Sequence, residues 1–494
     1  MRQESTPDHY RKGLRAKVRS AFMWSLVKSV GTRLTSFAVF ALLARQLSPQ
    51  DFGLAATVGL LATALCLLVE GGFSDTLIQR RTVAEDDLLA VFWYSLLLSL
   101  LFSACVPLAA QAIGDWLDTP DLPPVLTSIS ISIPFFALTI VPTALLRRNL
   151  RYKPLAIRAF LAGLIGGVVA VIGALMGLGV WALVIQGVTM YVLGALILWI
   201  YSPITIKFRF PVTHLVSLWG TALPLNAMAI IEFIGNRLIE LAIAKTYGAE
   251  VLGLYIVAVK VPQVLMQVVN ATISEVSISS LSRVSGNLGE LRRAYLDGIS
   301  AVLLVSVPMY ILCAILAKET ISFCFGARWS EMYVVMALLC VASALQSLDA
   351  ISISTIVSLN KGREAFCLTF LRAVLTIVAF FCLFNHGLVW VIAASVCIGL
   401  FISMIYCLRS CRFMELRIGE LLKAVRMPLV SVLLMASVSY LSRDTISTHA
   451  PSAVLALAAT AAVGIAVFIS SELLIDRARL VFVLRILFNR SSAV

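Results

Sequence analysis

The sequence predicts an all-α polytopic membrane protein of about fourteen transmembrane helices, arranged as two pseudo-symmetric six-helix lobes plus a C-terminal helix pair. Three observations carry this expectation. Hydrophobic residues make up 60% of the chain and charged residues only 13%, with a mean hydropathy of +0.97; a soluble domain carries about 25% charged residues. Apolar runs recur at the length of about 20 residues that a helix needs to cross a bilayer. A short segment near residue 44 recurs near residue 244. The runs are long and do not alternate, which excludes a transmembrane β-barrel.

In order, the runs cover roughly 21–45, 52–70, 88–113, 122–146, 155–176, 180–201, 214–244, 251–279, 294–317, 331–358, 365–384, 387–408, 421–441 and 451–471. The first follows a polar, basic stretch with no small-residue cleavage site behind the apolar run, so it reads as a span and not as a removable signal peptide. The loop between the third and fourth is acidic, with Asp115, Asp118 and Asp121. The fifth carries Gly163/Gly167 and leads into Gly173/Gly177, a spacing that lets helices of one chain pack closely. The seventh and eighth contain Pro224 and Pro262, each expected to remove a helix hydrogen bond and permit a bend. The longest loop spans about 280–293, and no appended soluble domain is expected.

Charge sets the expected orientation. With the N-terminus inside, the inner segments hold Arg2, Arg11, Lys12, Arg15, Lys17 and Arg19, then Arg80 and Arg81, then Arg147, Arg148, Arg151 and Lys153, and later Lys207, Arg209, Arg283, Arg292, Arg293, Lys361 and Arg363. Outer loops hold only Arg45, Lys245, Lys318, Arg328 and Arg443. This asymmetry places both termini in the cytoplasm. It accounts for the net charge of +13 without nucleic acid as a partner, and it lets the inner loops meet anionic membrane lipids.

The repeat organises the chain. Ala44-Arg45-Gln46-Leu47-Ser48-Pro49-Gln50-Asp51-Phe52-Gly53-Leu54 matches Ala244-Lys245-Thr246-Tyr247-Gly248-Ala249-Glu250-Val251-Leu252-Gly253-Leu254, and Gly179-Val180-Trp181-Ala182 matches Leu388-Val389-Trp390-Val391. Six helices per half keep both halves in one orientation, a parallel repeat about an axis along the membrane normal. The expected division is a basic N-terminus (1–20), a first lobe (21–205), a second lobe (206–410), and the last two helices with a tail (411–494). Two lobes with a cleft between them imply alternating access by rocking.

One segment points to a ligand. Lys260, Gln263, Gln267, Asn270 and Ser274 follow one another at spacings of three and four, which puts them on one helical face. Val257, Val261, Leu265, Val268 and Val269 occupy the other faces. A charge near the bilayer centre costs roughly 3 kcal/mol or more, so this stripe is expected to line water or a polar ligand. Lys28, Arg33, Arg158, Arg237 and Arg372 are further cations inside apolar runs. Arg158 and Arg372 can snorkel; Lys28, Arg33, Arg237 and Lys260 are expected to bind substrate, with Gln263, Gln267 and Asn270 as amide donors. Glu240 stands three residues after Arg237 and offers it a structural partner. Lys260 has no acid three or four positions away. Asp349 is the candidate ion-coupling carboxylate, or else a counter-ion to a cation. Cations favour an anionic ligand: at an effective dielectric of about 20, a phosphate charge 4 Å from a cation gains roughly 4 kcal/mol.

Metal and redox chemistry find little support. The four histidines (His9, His214, His386, His449) are scattered without zinc spacing. The ten cysteines fall mostly in apolar runs and read as small hydrophobes; Cys407 and Cys411 lie one turn apart but lack histidine partners. No cofactor and no metal are expected.

Leu42 to Leu54, then Leu77-Ile78-Gln79-Arg80-Arg81, Glu85-Asp86-Asp87-Leu88, Val91-Phe92-Trp93, Arg147-Arg148-Asn149-Leu150-Arg151-Tyr152 and Gly179 to Val184 resemble the bacterial polysaccharide transporter family. The likeness is to the colanic-acid-exporter branch of Wzx-type flippases, within the multidrug/oligosaccharidyl-lipid/polysaccharide superfamily. It covers most of residues 15–420 and is strongest in the first two hundred. It implies flipping of undecaprenyl-diphosphate-linked oligosaccharide across a bacterial inner membrane, with the polysaccharide polymerase machinery as a candidate partner. It also implies cavity cations on the first and the seventh or eighth helices, where Lys28, Arg33, Arg237 and Lys260 stand. The sequence leaves open whether H+ or Na+ drives transport. The alternative is a drug/cation antiporter of the same superfamily, which calls for an unpaired acidic centre where lysine and arginine dominate here. A membrane glycosyltransferase or polymerase would need a large outer loop with carboxylates, so an enzyme is not expected.

Overall fold

The computed structural model describes residues 35–202, 207–281, 288–359, 361–449 and 453–475. All secondary structure among them is helical, and thirteen stretches are long and apolar enough to cross a membrane. The first predicted run is described from residue 35, as helix α1 (35–46). The chain divides into two compact units, Met1–Ile256 and Val257–Val494.

The first unit holds α2 (Pro49–Glu70), α3 (Phe73–Gln79), α4 (Glu85–Trp116), α5 (Leu122–Ser130), α6 (Ser132–Arg148), α7 (Tyr152–Leu175), α8 (Val180–Tyr201) and the first part of α9 (Val212–Leu281). The start of α2 is fixed by local chemistry. Ser48 caps it by accepting from the Asp51 amide (3.1 Å), while Asp51 accepts from the Ser48 amide (3.0 Å) and hydroxyl (2.7 Å). This is a capping box, with Pro49 at the first helical position where its missing N–H costs nothing. The run 122–146 forms one membrane-length stretch, Leu122–Arg148, made of α5 and α6 joined at Ile131, whose φ of −59° and ψ of −26° stay helical. Pro134, just beyond this joint, has no N–H to donate to the Ser130 carbonyl, so one rung of the helical ladder is missing there.

The core of this unit gathers Val69, Phe73, Leu77, Val91, Phe92, Ile133, Ile140 and Val141 with Leu215, Leu218 and Ala222 of α9. The repeat places the lobe boundary at 205/206, whereas the compact units part at Ile256/Val257. The start of α9 packs on α3, α4 and α6 through those three residues. Arg148, at the end of α6, donates to the carbonyls of Leu77 (2.7 Å) and Arg81 (2.8 Å) and to that of Arg80. It thereby satisfies the open end of α3. Arg148→Ala should cost about 1–3 kcal/mol by leaving these carbonyls unpaired. A lowered thermal midpoint in detergent and earlier proteolysis at residues 80–84 would report it.

The second unit holds the rest of α9, then α10 (Leu288–Ile315), α11 (Ala317–Cys324), a 3₁₀ turn (Ala327–Met332), α12 (Tyr333–Ser358), α13 (Gly362–Leu383), α14 (Leu388–Phe413), α15 (Ile418–His449) and α16 (Ala453–Ile475). Ile356 of α12, Ala365 of α13, and Ile402 and Tyr406 of α14 form a buried cluster. Arg443 of α15 pairs with Glu319 of α11 at 2.6 Å, and Arg292 of α10 donates to the Met414 carbonyl. Only 6% of the apolar window at Gly362–His386 is buried. Phe366, Phe370 and Phe381 stand exposed there, a face suited to lipid.

The repeat is visible in the local geometry. Gly179 (φ 55°) caps α8 and Gly387 (φ 100°) caps α14. These caps align position 179 with 387, one residue away from the Trp181/Trp390 register that the sequence match gave. The pairs α7–α8 and α13–α14 share a second feature. Arg158 of α7 lies over Gly194 of α8, and Arg372 of α13 lies over Gly399 of α14. In each pair the absent side chain makes room for a guanidinium.

Candidate functional site

The stripe lies on α9, which is not one straight helix. Gly248 interrupts it with φ 83° and ψ 175°, a conformation open to glycine and strained for other residues. Among the described residues of α9 this is the one non-helical position; the backbone stays helical through Pro224 and Pro262. Gly248 is thus the turn between the seventh and eighth predicted runs, where the repeated segment places it. Lys260 stands twelve residues beyond it, about 18 Å along a helix rising 1.5 Å per residue.

Burial separates the faces as the period predicts. Val257, Ala258 and Val261 are buried, Lys260 is half-buried, and Gln263 and Gln267 are exposed. On the adjoining face, the Tyr310 hydroxyl of α10 meets the Met266 sulfur at 3.4 Å, which holds this part of α9 against α10. The structure thus presents a cation and two amides together from a helix of membrane length. Asn270 is on the same helix, but its side chain lies outside the described residues. Lys28 and Arg33 also lie outside them.

Arg237 is placed before the bend and is half-exposed, with Nη1 2.5 Å from Oε1 of Glu240, one turn along. Glu240 is buried at 8% exposure, so the arginine satisfies a carboxylate as well as facing outward. It makes a single contact there and not a two-pronged one. Arg237→Lys should therefore retain most transport while Arg237→Ala does not. If the lysine variant falls to the level of the alanine variant, the guanidinium grips its ligand through two donors.

Asp349 is buried on α12 and pairs with Nη1 of Arg372 on α13 at 2.9 Å. A Cβ on Gly399 of α14 would stand 3.3 Å from Nη2 of that arginine, so the glycine shapes the slot. Asp349 is a counter-ion in this structure; its part in ion coupling is a separate proposal. Cys407 lies 3.7 Å from the Tyr295 hydroxyl, and no group of three or more His, Cys, Asp or Glu among the described residues is placed to hold a metal.

Sequence reasoning missed a polar junction in the first unit. His214 Nδ1 and Arg80 Nη1 both meet Oδ1 of Asp87, at 2.8 and 2.9 Å, and Arg80 also donates to Ser217 (3.2 Å). Oδ2 of Asp87 accepts from the Ala84 amide and caps α4. Lys207 and Glu85 pair alongside at 2.8 Å. Arg80, Ala84, Asp87, His214 and Ser217 line an open cavity of about 420 Å³ with Thr82, Val83 and Thr213. The junction ties the start of α9 to the start of α4. The available signal was the acidic run Glu85-Asp86-Asp87 facing basic loops.

A family model described as polysaccharide biosynthesis protein matches residues 42–334. The chain belongs to that family. It is 23% identical over 464 residues to the succinoglycan biosynthesis transport protein ExoT of Rhizobium meliloti (strain 1021), covering 92% of this chain and 93% of that one. It is 25% identical over 349 residues to the lipopolysaccharide biosynthesis protein WzxC of Escherichia coli (strain K12), covering 68% of each. Its fold is similar to that of the lipid II flippase MurJ in an inward closed conformation, with a TM-score of 0.72 at 16% identity, covering 93% of this chain and all of that one. An inward-facing multidrug transporter of the MATE family is similar with a TM-score of 0.57 over 78% of this chain.

Proposed function

We propose that this multi-span membrane protein flips lipid-linked oligosaccharide, carried on undecaprenyl diphosphate, from the inner to the outer leaflet of a bacterial inner membrane during surface polysaccharide synthesis. The observation that carries the reading is the Lys260–Gln263–Gln267 face, a cation followed by amides on an otherwise apolar helix. The ammonium suits a diphosphate, the amides suit sugar hydroxyls, and the lipid tail stays in hydrocarbon. Arg237, Asn270, Lys28 and Arg33 complete the proposed donor set. Membership of the polysaccharide biosynthesis family and the names of ExoT and MurJ support a transport role. Against an antiporter of cations, Glu240 and Asp349 each already hold an arginine.

In this reading both termini are cytoplasmic and the bend at Gly248 is at the outer surface. A strain lacking the gene should lose surface polymer and accumulate undecaprenyl-diphosphate-linked repeat units, recoverable by lipid extraction and mass spectrometry. Restoration by a plasmid copy completes the test. Normal polymer with no accumulated intermediate would reject the proposal.

A further inference from the structure

The repeated segment meets its own copy inside the first unit. Residues 44–54 and 244–254 share a burial pattern: Ala44 and Ala244, Phe52 and Leu252, and Leu54 and Leu254 are buried, while Gln46 and Thr246 are exposed. The contact between the copies is reciprocal. A Cβ built on Gly53 would overlap the carbonyl of Ala249, and one built on Gly253 would overlap the carbonyl of Pro49. Pro49 and Ala249 are equivalent positions of the repeat, as are the two glycines. A contact in which each copy offers the same surface to the other is what a two-fold axis produces; here the axis relates two segments of one chain. The built Cβ of Gly253 also stands 2.9 Å from the Gly53 amide nitrogen, so the two backbones touch directly.

Neither glycine has a positive φ. Both lie within a helix, where glycine is about 1 kcal/mol worse than alanine, so conformational freedom does not explain them. Close approach does: each presents a Cα–H to a carbonyl across the crossing, a weak contact common where helices pack tightly. Such a contact interlocks no side chains, so it can part and re-form. Lys245, in the same turn, pairs with Asp118 of the α4–α5 loop at 2.6 Å, an exposed tie at the same end.

We infer that Gly53 and Gly253 are a matched pair of gating residues whose backbone contact shuts the predicted outer end, and that its parting opens that end to release the flipped headgroup. This rests on the flippase reading and its orientation. A side chain at either glycine forces the helices apart, and overpacking of this kind shifts a two-state equilibrium roughly 5–150-fold. Gly59, on the same helix α2, is the control, because a Cβ there meets nothing within 4 Å.

The test places spin labels, on encoded non-cysteine side chains, at Gln46 and Thr246 of the full chain in lipid nanodiscs. Pulsed resonance should show a short-distance population that shrinks by that factor in Gly53→Ala and in Gly253→Ala and persists in Gly59→Ala. Polymer export should fall in the two gate variants and hold in the control. A second arm leaves the glycines intact: a cleavable, membrane-impermeant bis-maleimide joining Gln46→Cys to Thr246→Cys should stop export, and cleavage should restore it. Unchanged distances in both glycine variants, or full export while cross-linked, overturn the gate. Distances that shift as expected in a protein whose deletion accumulates no lipid-linked intermediate uphold the gate and overturn the flippase reading.

Discussion

Lys260→Ala should cut polysaccharide export at least about tenfold while leaving the protein in the membrane at its normal level. The lysine lies on α9 beside a buried valine and ahead of a buried proline, yet it keeps part of its own surface open. The membrane-embedded level separates a loss of folding from a loss of transport. On the proposed reading, the loss is that of a charge-assisted contact to the diphosphate, worth about 1.5–3 kcal/mol. That is roughly a 10- to 150-fold fall in transport at limiting substrate. Lys260→Arg should recover part of the activity and Lys260→Met none, since methionine matches the length without the charge. The measurement is surface polymer per cell, normalised to membrane-embedded protein, with lipid-linked intermediates quantified in parallel. Normal export by the methionine variant would remove Lys260 from the site.

Periodicity made some features readable and hid others. The α9 stripe was visible because Lys260, Gln263 and Gln267 are related by helix geometry alone, and Val257, Ala258 and Val261 are buried on the opposite side. The turn at Gly248 was marked by the repeat, although its chemistry differs from the matching turn. Ser48 closes its turn with a capping box, while Gly248 turns through positive φ. Contacts between distant helices left no such trace. Nothing local relates Asp87 to His214, Asp349 to Arg372, or Gly53 to Ala249, because helix packing brings them together and not sequence spacing.

The Asp349–Arg372 pair separates a structural role from a transport role. Arg372→Ala leaves a buried carboxylate without its cation, which should cost about 3–5 kcal/mol. Asp349→Ala leaves a guanidinium that is 23% exposed and can reorient, so it should cost less. Replacing both with apolar residues of similar volume, Asp349→Leu with Arg372→Met, should fall within a few kcal/mol of the native protein, because buried ion pairs roughly offset their own desolvation. Thermal unfolding in detergent of the native protein, Asp349→Leu, Arg372→Met and the double variant gives the coupling between the residues. Export by the double variant then decides the role of Asp349. If the pair only braces α12 against α13 beside Gly399, the refolded double variant exports polymer. If Asp349 carries the coupling ion, the double variant is as stable as the native protein and transports nothing, because a leucine cannot exchange a proton or bind sodium however well it packs.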